Sequence, residues 1–357
     1  MLKPRIKKHL DVVSEPRGGY YIRSSESISV LKGATVKELF DKLLPLLNGS
    51  FSEGEIIQKL DKVAQPEVVR VILGRLQEAK IIEDAAEEGR YEFSQDELDR
   101  YRHQLVFFDL ALHSGNALDY QLNLKNSRFV VIGAGPLALS LARQASGMGV
   151  GRILAANLCR ETESSLAQTN PSIHFSAAGL DFSDWGKIAA AIKEEQPTLL
   201  ALAIDRPEPI LTEAVNTLAI ELNLSLLNCQ TNGIEGIIGP LVVPGQTACL
   251  KCHHTRVTRN LDFYAEYNAW EKWVRSHAEN RAITAQLAPF TDTVAGMAAI
   301  EVLKHASGCY EAETYGRFIT INALTFEIVT HQVLKLPRCP SCGSAREKNT
   351  YSPWREL

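Results

Sequence analysis

The sequence predicts an α/β protein in two parts. A small N-terminal unit of three strands and three helices precedes a larger doubly wound domain stapled by a structural zinc on four cysteines. Three observations carry this. Short β-prone runs and amphipathic helices fill the first 90 residues. Phe129–Ile132, a short apolar run, leads into Gly133-x-Gly135-x-x-Ala138, the turn from a buried parallel strand into a helix. Cys249 with Cys252, and Cys339 with Cys342, form two C-x₂-C pairs.

The cysteine pairs are the most specific of the three. Each tight turn offers two thiolates, and together they complete a tetrahedral S₄ site for Zn²⁺. Redox or disulfide chemistry is the alternative for a lone C-x₂-C. Two pairs, the second with Pro340 between its cysteines and Gly343 just after, point to metal. Four thiolates leave no open coordination position, so the zinc is expected to be structural. Cys159, Cys229 and Cys309 remain as single thiols, read as buried.

Composition bounds the rest. The chain has 357 residues, 45% hydrophobic and 22% charged, enough for more than one domain with a sizeable core. The net charge of −4 gives no basic excess for nucleic acid. The N-terminus is basic without the apolar stretch of a signal peptide, and no apolar run reaches the ~18 residues of a membrane span. A reducing, cytoplasmic setting without membrane or nucleic-acid partner is expected.

Within residues 1–90, Leu10–Val13, Tyr20–Arg23 and Ile28–Leu31 read as a meander. Thr35–Leu47 carries an apolar stripe, with Thr35 and Glu38 as a capping box. Ser52–Leu60 opens with Ser52 and Glu55 in the same relation, and Gln65–Ala79 is the third helix. Ile81 and Ile82 start a wing-like strand. This is a winged-helix layout. As a DNA reader it is poor, because Arg70, Arg75 and Lys80 are offset by Glu67 and Glu78.

Residues 91–126 form a linking helical segment, 127–345 the larger domain, and 346–357 a tail. After the glycine loop, strands are expected at Arg152–Ala156, Ile173–Ala177, Leu199–Ile204 and Ser225–Asn228, joined by right-handed crossovers. Asp205 ends the fourth.

In order along the chain stand Arg100-Tyr-Arg-His-Gln104, the Gly133 loop, Val150-Gly151-Arg-Ile, Asn170-Pro171, Asp205, Gly239-Pro-Leu-Val-Val-Pro-Gly-Gln-Thr-Ala-Cys-Leu-Lys-Cys252 and Cys339-Pro-Ser-Cys342. Over residues 98–345 this set resembles E1-like proteins of the ThiF/MoeB type, which adenylate a carboxyl terminus with ATP and magnesium. The N-terminal unit resembles the PqqD-like RiPP recognition element, a winged-helix domain that binds the leader of a precursor peptide. Together they resemble the E1-like partner proteins of azoline-forming (TOMM) RiPP biosynthesis. Those capture a leader peptide and present the core peptide to a separate YcaO-type cyclodehydratase, which uses the ATP. Such relatives are commonly homodimers, and the resemblance implies one here.

Departures from the adenylating pattern separate enzyme from partner. Adenylating relatives follow the second strand with Asp-x-Asp, then Ser-Asn-Leu-x-Arg-Gln and a lysine. Here Asn157 replaces the first Asp, Ala167 stands where the Arg belongs, and Asn170-Pro171 follows directly, without the segment that carries the Lys. ATP carries about four negative charges, which Arg and Lys normally offset. Arg160 is the one cation in that stretch. The loop of Gly133, Gly135 and Asp205 is therefore read as a degenerate nucleotide site: Asp205 stands where the adenylating relatives keep a magnesium-binding Asp, and with its partners gone it is read as a strand-end cap. No catalytic residue is assigned. An ATP-dependent E1-like adenylating enzyme is the second reading, and a winged-helix regulator the third.

For the leader, the third meander strand, Ser27, Ile28, Ser29, Val30 and Leu31, is expected at a sheet edge open to β-augmentation. By resemblance the third helix is the opposite wall, with Val69, Leu73 and Gln77 facing outward as pockets; the alternative is that Val69 and Leu73 are core. His253 and His254 are expected beside the metal rather than on it. Trp270 and Trp273, three apart on Phe263–His277, are a packing stripe or an aromatic partner surface. Thr291-Asp292-Thr293 is expected to cap a helix over Val294–His305, with Met297, Ile300 and Leu303 in the core.

Overall fold

A computed structural model of the chain describes residues 2–15, 18–25, 27–111, 116–156, 170–178, 184–277 and 281–343. The chain forms two compact units, Met1–Arg100 and Tyr101–Leu357.

In the first unit, β1 (Pro4–Ile6) precedes the meander β2 (Asp11–Glu15), β3 (Gly19–Arg23) and β4 (Ile28–Lys32). The three meander strands pair in that order, so β4 is an edge. Helices α1 (Ala34–Leu43), α2 (Glu53–Lys59) and α3 (Pro66–Glu78) follow, then β5 (Ile82–Asp84). β5 pairs antiparallel with β1, Ile6 opposite Ile82, a pairing the sequence reading did not foresee. Arg5 fastens it, contacting Glu83 and Glu88 at 2.6 Å each.

Alternation along β3 sends Tyr20 and Ile22 inward onto Leu39, Phe40 and Leu43 of α1 and Val69, Leu73 and Leu76 of α3. The capping box at Ser52 and Glu55 is present. The one expected at Thr35 is not, because α1 starts after Gly33, whose φ of 120° is open to glycine. Pro45 sits at the start of a 3₁₀ turn, Leu44–Leu46, that ends α1 before Leu47.

In the second unit, α4 (Gln95–Ala111), within which the division between units falls, and α5 (Ala117–Asn126) lead into an eight-stranded sheet. Its strands are β6 (Arg128–Ile132), β7 (Arg152–Ala156), β8 (His174–Ala178), β9 (Leu199–Ile204), β10 (Ser225–Asn232), β11 (Glu235–Val242), β12 (Arg317–Asn322) and β13 (Ile328–Gln332). The order is β13-β12-β11-β10-β9-β6-β7-β8. The five strands from β8 to β10 are parallel. β11 to β13, not anticipated from sequence, run antiparallel on the other side.

Helices cover both faces: α6 (Pro136–Met148), α7 (Trp185–Glu195), α8 (Pro209–Glu221), α9 (Leu250–Arg259), α10 (Tyr264–Ser276) and α11 (Ala288–Ser307). The period of two along each strand sorts the layers. Phe129, Val131, Ile153, Ala155 and Ala201 pack with α6 and α11. Val130, Ile132, Leu154, Leu200 and Leu202 pack with Ile188 and Ile192 of α7, Val215 of α8 and the first turn of α9. α11 begins earlier than expected, with Pro289 in its first turn. Thr291 is therefore buried inside it rather than capping it, and Ile300 is half exposed rather than core.

No helix of the described residues is long and apolar enough to cross a membrane.

Candidate functional site

Cys249 caps the N-terminus of α9 and Cys252 lies in its first turn, so two sulfurs share one helix end. Asn216 of α8 fixes that end, its Oδ1 accepting from Leu250 N–H at 2.8 Å. The second pair sits on a turn held against the same helix. Arg256 donates to the carbonyls of Leu334 and Lys335 at 2.7 and 3.1 Å, and Leu336 N–H donates to Cys252 Sγ at 3.3 Å. Gly343 N–H closes the turn on Cys339 O, and a Cβ there would strike that carbonyl, which explains the glycine.

The four sulfurs lie within 4.8 Å of one another, three of the cysteines buried and Cys342 half-buried. Cys249 to Cys252 is 3.9 Å, Cys249 to Cys339 is 3.6 Å and Cys252 to Cys342 is 3.5 Å. Tetrahedral thiolate bonds of about 2.3 Å place sulfurs about 3.8 Å apart, so this donor set has the spacing of a four-sulfur metal site. Burial pushes the Cys249 thiol up and Cys252 to about 11. Burial also opposes ionisation of Cys339, yet hydrogen bonds from the Cys342 and Ser341 backbones bring it down to about 7. His253 packs against Phe318 with ring centroids 4.5 Å apart and the planes tilted by 59°, and His254 lies 3.3 Å from Glu271; the sulfur cluster comprises the four cysteines alone among the described residues. Cys229 and Cys309 are buried single thiols; Cys159 lies outside the described residues.

The glycine loop stands where strand order reverses, between β6 and β9, the usual ligand crevice of an open α/β sheet. Gly133, Gly135, Asp205, Arg206 and Gln286 line a cavity of about 560 Å³ there. Asp205 Oδ1 accepts from Leu137 N–H of α6 at 3.1 Å and from Gln286 Nε2 at 2.6 Å. A helix N-terminus favours an anion, and here the chain's own carboxylate takes that place. A Cβ on Gly135 would collide with Asp205 Oδ2. Burial raises the Asp205 pKa, against the hydrogen bonds from Leu137 and Gln286. Arg206, the one cation lining the cavity among the described residues, is paired with Glu208 at 2.7 Å. Asn157, Arg160 and Ala167 lie outside the described residues, as does the tail.

A larger cleft of about 990 Å³ was missed from sequence. α10 walls it with Tyr267, Trp270 and Trp273, and Asn228, Gln230 and Asn232 of β10 line it. The strand expected over Ser225–Asn228 runs on to Asn232, and the alternation of the three amides along it was the available signal. Trp270 packs on Tyr267 under Arg281, while Trp273 is half exposed and stacks on His277.

In the first unit, Ile28 is 62% and Val30 44% exposed on the β4 edge, while Leu31 packs on the core. Gln77 is exposed. Val69 and Leu73, expected outward, are core residues at 1% and 2% exposure. The outward apolar side chains of α3 are Val68 and Val71 instead. Arg70 lies within 4 Å of Glu53 and Glu67, which further thins the positive surface of that helix.

The ThiF family model matches residues 160–343, and a winged helix-turn-helix domain model matches residues 5–83. No curated protein matches the chain. Among solved structures, Escherichia coli MccB bound to AMPCPP and selenomethionine MccA aligns at TM-score 0.64 and 18% identity, covering 95% of this chain and 99% of that one. E. coli MccB with ATP aligns at TM-score 0.64 and 19% identity over the same shares. The heterocyclase TruD aligns at TM-score 0.62 and 21% identity, covering 96% of this chain but 43% of that one. At these identities the likeness concerns the fold.

Proposed function

We propose, from the premise that the chain belongs to the ThiF family, that it is a peptide-capturing partner protein rather than an adenylating enzyme. Its winged-helix unit binds the leader of a ribosomal precursor peptide. Its ThiF-type unit is a scaffold held by one structural Zn²⁺ on Cys249, Cys252, Cys339 and Cys342. A separate YcaO-type cyclodehydratase then forms the azolines with its own ATP. Two similarities support the peptide partner: the fold is like that of MccB, solved with MccA, and like that of the heterocyclase TruD. The zinc contributes by fixing the turn of Cys339 and Cys342 to α9, and no step of chemistry runs through it.

The observation that carries the non-catalytic reading is Asp205. Its carboxylate accepts the Leu137 N–H at the start of α6, where a nucleotide phosphate would need a donor. A phosphate brought there meets a like charge and finds Arg206 already paired. The adenylating alternative draws on the likeness to MccB with ATP. Isothermal titration with ATP and Mg²⁺ decides between them. No micromolar binding is expected, with or without precursor peptide. Micromolar binding, or pyrophosphate release that depends on peptide, overturns the partner reading. A DNA-binding regulator is tested by titrating duplex DNA against leader peptide; binding to DNA alone overturns peptide capture.

A further inference from the structure

The backbone phase of the meander fixes which residues of β4 an incoming strand would meet. β3 and β4 pair without a bulge, Arg23 opposite Ile28, Tyr21 opposite Val30 and Gly19 opposite Lys32. Ser24 N–H donates to Ser27 O at 2.9 Å, and Gly33 N–H donates to Gly18 O at 3.3 Å. Bonded and non-bonded pairs alternate along an antiparallel ladder. The bonded pairs are therefore Ser24 with Ser27, Ile22 with Ser29, Tyr20 with Leu31, and Gly18 with Gly33. Ile28, Val30 and Lys32 fall between them, so their N–H and C=O groups point away from β3, at the open edge.

These same three residues have exposed side chains on one face of the strand, while Leu31 on the other packs into the core. The edge thus presents backbone donors, two apolar side chains and one cation in register, every second residue. β4 has none of the usual edge protection by proline or bulge. The opposite edge, β2, carries Asp11 and Glu15 and repels an acidic strand. Self-pairing of two β4 strands about Val30 would set each Lys32 against an Ile28, leaving the cation without a partner.

Resting on the peptide-capture reading above, we propose that β4 selects an extended segment of the pattern acidic-x-apolar-x-apolar, read from N to C. It pairs antiparallel, its acidic residue opposite Lys32 and its apolar residues opposite Val30 and Ile28. The backbone bonds give affinity, and the three side chains choose the register.

A randomised peptide display library selected on the full chain tests this. Acidic-x-apolar-x-apolar should be enriched. For a labelled selected peptide, Lys32→Glu should weaken binding about fivefold, the upper range of one cross-strand charge pair, and a basic residue at the acidic position should restore it. Val30→Pro should lower affinity tenfold or more while the circular dichroism and unfolding midpoint stay near wild type, because the Val30 N–H lies outside the β3 ladder. Ser29→Pro, which removes a ladder donor, should instead unfold the unit. Enriched peptides lacking a period of two, or a preference unmoved by Lys32→Glu, overturn this inference and leave peptide capture standing. A Val30→Pro variant that loses self-association but not peptide binding assigns the edge to a second copy and also overturns it. A library that yields no binder overturns peptide capture itself.

Discussion

Two places in the ThiF-type unit are shaped to hold something small and charged, and their local balance differs. At the start of α9, four sulfurs crowd within 4.8 Å, and as thiolates they repel one another unless a cation sits between them. At the start of α6, the positive end of the helix is already met by Asp205, which also takes the Gln286 amide. Both sites follow from one geometry, a turn leading into a helix N-terminus. The first gathers like groups that need a partner from outside; the second is balanced by a carboxylate from the neighbouring strand. On the proposed reading, a helix start at the right place in the sheet is no sufficient sign of a nucleotide.

The comparison predicts its largest effect at the cysteines. Cys249→Ser removes one ligand and opens the set, so metal content by mass spectrometry should fall below one zinc per chain. The unit should lose about 3–5 kcal/mol, a drop on the order of 10 °C in its unfolding midpoint. Chelation of the wild type should produce a similar loss. A Cys249→Ser variant with full zinc and unchanged midpoint would break the contrast from the cysteine side.

Both sites were legible in the sequence, for different reasons. Cysteine pairs are rare and their turns are local, so the spacing alone announces a shared partner even across a long separation. The glycine loop is equally local. The bond that balances it, from Leu137 N–H to Asp205, joins the end of one strand to the helix that follows its neighbour, which only the sheet order brings side by side, and the sequence offered no more than an acid at a strand end. The same limit explains α3. Its apolar residues form two stripes, Val68 with Val71 and Val69 with Leu73 and Leu76, and periodicity ranks neither. Packing on Phe40 and Ile22 selects the second stripe as core. β1 and β5 are three residues each and pair across the whole first unit, so nothing local marks either one.

An intermediate effect is expected at Gly135. Its added Cβ in Gly135→Ala meets Asp205 Oδ2 and must push the carboxylate off the helix. The cost should be about 1–3 kcal/mol, read by urea unfolding. Asp205→Ala alone leaves the Leu137 N–H without that acceptor and should cost about 1–2 kcal/mol. The double variant should cost less than the sum, because the collision disappears with the side chain. Additive losses would show that the two residues do not press on each other.

The smallest effect separates the Asp205 charge from its hydrogen bonds. Asn at position 205 keeps an Oδ1 acceptor for Leu137 and Gln286 but carries no charge. Burial raises the folded-state pKa of Asp205, so the folded protein holds its proton more tightly than the unfolded chain does. The sign follows from linkage: the stability tied to that proton is fully present below the unfolded value of about 3.9 and is lost as pH rises through the folded pKa. At neutral pH the wild type therefore bears the cost of a partly buried carboxylate, offset in part by its hydrogen bonds. Asp205→Asn should be equal to or slightly more stable than wild type near pH 7.5, and the difference should vanish as pH approaches 4. Paired urea titrations at the two pH values measure it. If the carboxylate were instead held low by a bound cation or a strong positive field, Asp205→Asn would be the less stable protein at neutral pH. The loop would then be a charged ligand site, and the contrast with the cysteines would collapse.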